Sequence, residues 1–181
     1  MNTLFTKQIF NIKESINPNE IPLGNQNNIG ESKIDKCLLE KIKKKLGDKC
    51  NELGYIKKDS IKIENRSIGK INSSQFNGLI NFNLSISANV YLPVKGISIK
   101  CKILGSNQIG LFAISPPIHI IIAKIHHDKQ DQLKLNLLQE NDVVYVTVIN
   151  YKFSLDDDHI KTITRFDFKN DDNIKLLNNR N

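Results

Sequence analysis

Leu79-Ile80-Asn81-Phe82-Asn83-Leu84-Ser85-Ile86-Ser87-Ala88-Asn89-Val90-Tyr91-Leu92 is the stretch on which the fold turns. Ile80, Phe82, Leu84, Ile86, Ala88, Val90 and Leu92 alternate with Asn81, Asn83, Ser85, Ser87, Asn89 and Tyr91, a period of two held along the whole segment. Successive side chains of a strand point to opposite sides of its sheet, so this is a long strand with one buried face and one wet face. Pro93 interrupts it, and Lys95-Gly96 leads into a second unit.

Working back from that strand, residues 1–94 read as one unit. An apolar stretch from Leu4 to Ile12 suggests a strand, and Asn17-Pro18-Asn19-Glu20-Ile21-Pro22 with the Asn/Gly-rich run to Gly30 suggests a long loop. Ile34, Leu38, Leu39, Ile42 and Leu46 then fall on one helical face, with Lys36, Lys41, Lys43, Lys44 and Lys45 largely off it. Ser32 is the expected N-cap and Gly47 the expected stop, and the lysines suit the C-terminal end of the helix dipole. Strand-like segments at Tyr55 to Ile63 and Ile68 to Ile71 complete an α+β unit of one helix with an antiparallel sheet.

Working forward, residues 95–172 hold five strand-like segments: Ile97 to Leu104, Ile109 to Ala113, His119 to Ile125, Val143 to Tyr151 and Ile160 to Phe168. Short strands joined by polar loops, without a helical period, predict a small closed all-β barrel, the OB type being commonest at five strands. Residues 95–126 carry Lys95, Lys100, Lys102 and Lys124 and no acid, whereas 127–172 carry ten acids against six bases. The first three strands are therefore the better place for a nucleic-acid face. Residues 173–181 are polar and read as a flexible tail.

The composition bounds the function. With 181 residues, 39% hydrophobic and 25% charged, the chain can bury a core, and its apolar runs, such as Ile120 to Ala123, are strand-sized rather than membrane-sized. The N-terminus has no cationic start followed by an apolar stretch and a cleavage site, so an intracellular protein that binds no membrane is expected. Cys37, Cys50 and Cys101 are odd in number and widely spaced, which suits free buried thiols rather than a zinc or redox pair. A net charge of +7 favours a polyanionic partner, although 23 of the 26 basic residues are Lys, as AT-rich coding alone would give.

The candidate chemical motifs reduce to structural ones. Adjacent His126 and His127 on a strand point to opposite faces and no further ligand follows at a recognisable spacing, so His126-His127-Asp128 reads as a polar strand end. Asp156-Asp157-Asp158-His159 lacks the Gly and downstream Glu of a calcium loop and reads as a solvated hairpin. Gly105 and Gly110 have phosphate-loop spacing, but Leu111-Phe112 stands where Lys-Ser/Thr is required. No nucleophile triad or paired-carboxylate spacing occurs, so neither an enzyme nor a metal or cofactor is expected. The Lys41 to Lys49 cluster has two readings, a solvated helix face or a contact for nucleic acid or an acidic partner.

In order along the chain stand a helix ending at Gly47, Cys50, Leu53-Gly54-Tyr55-Ile56, Ile68-Gly69-Lys70-Ile71, the long strand, Leu92-Pro93-Val94-Lys95-Gly96 and Asn107-Gln108-Ile109-Gly110-Leu111-Phe112-Ala113. That ordered set resembles the stalk subunit of multisubunit DNA-directed RNA polymerases, the family of the seventh subunit of the eukaryotic nuclear enzyme and its archaeal counterpart. The resemblance implies a tip domain that docks on the polymerase core, followed by an OB barrel of the ribosomal-protein S-one type near the RNA exit path. It implies a non-catalytic subunit supporting initiation and nascent-RNA contact, with core subunits and a helical stalk subunit as partners. The loop from about Glu64 to Gln75 matches the core-contacting loop, which makes Arg66, Gly69 and Lys70 the expected docking residues. The short tip-domain loop and AT-rich composition look like the versions encoded by large DNA viruses. A viral protein would work in a cytoplasmic factory or virion, a cellular one in the nucleus.

On the barrel, Lys100, Lys102, Phe112, His119 and Lys124 are the candidate RNA contacts. Ile109 departs from the pattern, for an aromatic commonly stands there and supplies a second stacking platform. Weak, Lys-driven, sequence-independent RNA contact is therefore expected. The competing expectation is a free-standing single-stranded RNA-binding OB protein of translation type.

Overall fold

A computed structural model describes residues 5–21, 33–71 and 78–179. The chain divides into two compact units, Met1–Tyr91 and Leu92–Asn181. In the first lie β1 (Phe5–Ile16), α1 (Lys33–Leu46), β2 (Lys49–Asn51), β3 (Gly54–Ile56), β4 (Lys62–Arg66), β5 (Lys70–Ile71) and β6 (Ile80–Tyr91). In the second lie β7 (Ser98–Ser106), β8 (Gly110–Ser115), β9 (Ile118–Ala123), α2 (Lys129–Leu135), β10 (Val143–Lys152), β11 (Ile160–Phe166) and α3 (Asp171–Asn178).

The alternating strand is the centre of the first unit. β1 pairs with β6 along its full length, Phe5 opposite Tyr91 and Ile16 opposite Ile80, while β3, β4 and β5 divide its other edge between them. Phe82, Leu84, Ile86, Ala88 and Val90 are buried against Leu38 and Ile42 of α1, with Ile16, Ile56 and Ile61 closing the core. Truncating one such isoleucine or leucine to Ala costs about 2 to 5 kcal/mol, because the cavity left behind adds to the lost burial.

The expected Tyr55 to Ile63 strand is two strands separated by a 3-10 turn at Lys58–Ser60, where the Ser60 hydroxyl donates to the Lys57 carbonyl and accepts the Asn89 N–H. The helix does stop at Gly47, but the left-handed residue is Asp48, with φ 56°. Gly47 is needed for space, since a Cβ there would lie 2.3 Å from the Lys43 carbonyl oxygen and 2.6 Å from the Lys58 side chain. The proposed cap Ser32, the strand start at Leu4 and residues 72–75 of the expected docking loop lie outside the described residues.

The second unit closes as β10-β11-β9-β8-β7 with β7 returning to β10, all neighbours antiparallel except the parallel pair β9 and β11. This is the expected five-stranded, OB-like barrel. Inside are Ile99, Cys101, Ile103, Leu111, Ala113, Ile118, Ile120, Ile122, Val144, Val146, Val148, Ile160, Thr162, Thr164 and Phe166. Gly110 is required where β8 meets β9, for a Cβ there would sit 2.1 Å from the Ile122 carbonyl oxygen.

Two helices depart from the all-β expectation. α2 is short and is pinned by the Gln132 amide, which donates to the carbonyls of Lys124 and His127 at 3.0 and 2.9 Å. α3 occupies the start of the expected flexible tail. Its Asn173 is fully buried, accepts the Tyr145 N–H at 2.9 Å and donates to the carbonyls of Tyr145 and Asp167 at 2.8 and 2.7 Å. One amide thereby satisfies both backbone groups of Tyr145, which is why so polar a segment packs.

Candidate nucleic-acid and docking surfaces

The five barrel strands contain no carboxylate; their charged residues are Lys100, Lys102, Lys152, Lys161 and Arg165. Strand alternation turns all five outward, opposite the apolar interior. Register sets three of them in a belt across the strands: Lys152 opposite Lys161, Lys161 beside His119, His119 opposite Ile114, and Ile114 opposite Lys102. A second, apolar row runs alongside, Phe112 opposite Ile121 and Ile121 beside Ile163, with Phe112 37% exposed. In OB barrels the face of the second and third strands and the adjoining loops is the one that takes oligonucleotides.

Of the residues expected to meet RNA, Lys100, Lys102, Phe112 and His119 share this outward surface. Lys100 lies over the Tyr145 ring, 5.7 Å from its centroid. Lys124 is placed apart, in the 3-10 turn after β9, where its N–H bonds the Ile109 carbonyl in the loop between β7 and β8. That loop is a tight turn in which the Asn107 side-chain oxygen accepts the N–H groups of Ile109 and Gly110 at 2.8 and 3.0 Å. Lys152, Lys161 and Arg165 escape a count of charge along the sequence because they lie within an acid-rich span. The signal is nonetheless there: Ile160, Thr162, Thr164 and Phe166 alternate with Lys161, Ile163 and Arg165, so the bases belong to the strand face and the acids to loops and helices.

His119 has an unforeseen companion. The His159 ring stacks on it, and the Asp158 carboxylate bonds His159 Nδ1. Partial loss of hydration foremost, then the neighbouring His159 and Lys161, holds the His119 pKa below its ordinary value, with Asp158 opposing. The hydrogen bond from His159 lowers the Asp158 pKa. The rest of the loop is the expected hairpin, with Asp157 accepting the Ser154 N–H at 2.8 Å and Asp156 left-handed at φ 66°.

His127, expected at a polar strand end, is instead buried. Its Nε2 accepts the Phe166 N–H at 2.9 Å while Nδ1 lies 2.9 Å from the Ala123 carbonyl, an arrangement that requires a neutral ring carrying its proton on Nδ1. Burial lowers its pKa accordingly. Phe168 packs edge-on to it, 5.9 Å between centroids. Among the described residues no three His, Cys, Asp or Glu side chains converge on a common metal position. Cys50 and Cys101 are buried, burial pushing the Cys101 thiol up to about 12, and Cys37 is half-buried.

In the first unit the three expected docking residues separate. Arg66 is spent internally: Nε bonds Asp35 of α1 at 2.5 Å, an Nη donates to the Ser67 carbonyl, and the guanidinium lies 5.3 Å from the Phe82 ring centroid. Gly69 is a packing glycine, since a Cβ would come within 2.5 Å of the Ile80 side chain and 2.9 Å of the Phe82 ring. Lys70 is exposed on β5, opposite Asn81. A groove of about 590 Å³ runs beside Arg66 between α1 and β4, floored by Leu39, Ile61 and Ile63 and edged by Lys43 and Asp35. The lysine cluster of α1 is partly engaged within the unit, Lys41 with Glu20 and the Ser15 carbonyl and Lys45 with Glu14, while Lys36 and Lys44 are exposed.

No family model matches the chain. It is 27% identical over 158 residues to a protein of Acanthamoeba polyphaga mimivirus named "Putative DNA-directed RNA polymerase subunit". The match covers 81% of this chain and 78% of the viral protein. Such coverage spans both compact units rather than the barrel alone. Among the described residues no helix is long and apolar enough to cross a membrane.

Proposed function

We propose that this chain is a non-catalytic subunit of a multisubunit DNA-directed RNA polymerase, of the stalk type, working in transcription from a viral genome. The observation that carries it is one similarity running through both units to a viral protein named as a polymerase subunit, in a chain whose second unit is an OB-like barrel. The first unit docks on core subunits. Lys70, exposed on β5, is its contact residue, while Arg66 and Gly69 hold the loop in shape. A helical stalk subunit and nascent RNA are the further partners. The barrel meets RNA through the Lys152–Lys161–His119–Lys102 belt and Phe112, weakly and without sequence preference, because Lys ammonium groups recognise phosphate rather than base.

The test is co-sedimentation of the recombinant chain with its polymerase core. A stoichiometric complex that survives high salt and is loosened by Lys70→Glu is the expected result. A chain that stays at the top of the gradient contradicts it. A second reading, a free-standing RNA-binding protein, is favoured by the carboxylate-free strand face alone. It predicts full single-strand affinity with no polymerase association.

A further inference from the structure

Ile109 leaves β8 with one outward ring, Phe112, and its cross-strand neighbour on β9 is the aliphatic Ile121. The second ring of the face is His119, and it does not stand alone. His159, the residue before β11, stacks on it with ring centroids 3.8 Å apart and planes 20° from parallel. His159 is the more enclosed of the two, its side chain 23% exposed and tied to the Asp158 carboxylate, while His119 is exposed. We propose that His159 is a positioning residue for the nucleic-acid face: it backs His119 and completes with it a two-ring platform on which an unpaired base stacks. The inference rests on the barrel's being an RNA-contacting surface.

A lone imidazole on a strand turns freely about its Cβ–Cγ bond, and ordering it costs affinity at the moment of binding. Here that order is built during folding, with Asp158 holding His159 and His159 holding His119. Lys161 flanks His119 on β11 and Lys102 lies beyond Ile114 on β7, so phosphate groups on either side of a stacked base meet ammonium groups. The ligand is therefore an unpaired base of a single strand, accepted without sequence preference because every base has a π face.

The experiment measures binding of the full-length chain to fluorescein-labelled oligouridylate by anisotropy at low salt, with a thermal melt of each variant. His119→Ala weakens binding about 5- to 150-fold, the range for losing one stacked base. His159→Ala loses most of that affinity with little change in melting temperature, and His159→Phe, which keeps the stack, restores it. The double variant is no weaker than His119→Ala alone, because His159 acts through His119. Wild-type or tighter binding by His159→Ala overturns the proposal, as does failure of His159→Phe to restore it. If Phe112→Ala and Lys102→Ala weaken binding and His159→Ala does not, only the role of His159 falls. If the wild-type chain has no affinity for the oligonucleotide, the RNA-contacting reading of the barrel falls with it.

Discussion

Arg66 at the end of β4 and Lys102 in the middle of β7 are both basic residues singled out for contact with something outside the chain, and their surroundings differ completely. Arg66 is closed into its own unit by Asp35, the Ser67 carbonyl and the Phe82 ring. Lys102 stands on a strand face without carboxylates, in register with His119 and Lys161. The difference follows from what marks each residue in the sequence. Lys102 lies in a strand-like, acid-free span, where alternation fixes the side of the sheet a residue occupies, whereas Arg66 is marked by its place in a motif, which says nothing about what its side chain touches. Motif glycines behave in the same way: Gly69 and Gly110 are both packing requirements, one against side chains and one against backbone.

The largest effects are expected at these two glycines. Gly110→Ala drives a Cβ to 2.1 Å from a backbone oxygen that cannot swing aside, so a loss of about 3 kcal/mol or more is expected, read by denaturant unfolding. Gly69→Ala meets the Ile80 and Phe82 side chains, which can adjust, and is expected to cost about 1 to 2 kcal/mol. Equal losses would mean that the two close approaches are of the same kind.

Asn173→Ala tests whether the packed end of the chain belongs to the barrel. It strips the Tyr145 N–H and carbonyl of their side-chain partner, and about 2 kcal/mol of stability should go with it. Unchanged stability would return α3 to the status of a tail.

A smaller effect is expected from pH. Burial places the folded His127 pKa below the ordinary 6.5, so on acidification the unfolded chain takes up a proton before the folded one does. The stability contributed is complete above pH 6.5 and is lost as pH falls from there towards the lowered folded value. His119 adds to the same trend. Unfolding midpoints should drop across that window, and less so in His127→Gln, where a neutral amide replaces the ring.

The smallest expected effect is at Tyr91. Its hydroxyl is buried without a hydrogen-bond partner among the described residues, so Tyr91→Phe should leave melting unchanged or raise it slightly. A marked loss would reveal a contact made by that hydroxyl.

Much of the architecture is legible because it rests on periodicity. The strand through Phe82 and Leu84, the α1 stripe through Leu38 and Ile42, and five strands in the second unit all announce themselves by what they bury. The features that stay hidden depend on partners distant in sequence. Asn173 looks like tail composition until Tyr145 lies beside it, 28 positions away in the chain. His127 looks like a polar end until the Phe166 N–H reaches it, and His159 belongs to a polar hairpin until the parallel pairing of β9 with β11 brings it to His119. The belt of Lys152, Lys161 and Lys102 needs the same pairing, which no local pattern encodes.

Association with a polymerase is the property from which the other proposed roles of the chain follow. Purified from its native source through a tag and washed at high salt, the chain should bring down the large polymerase subunits in stoichiometric amount, identified by mass spectrometry. Recovery of RNA or ribosomes without those subunits would contradict it and leave the barrel as the working part of the molecule.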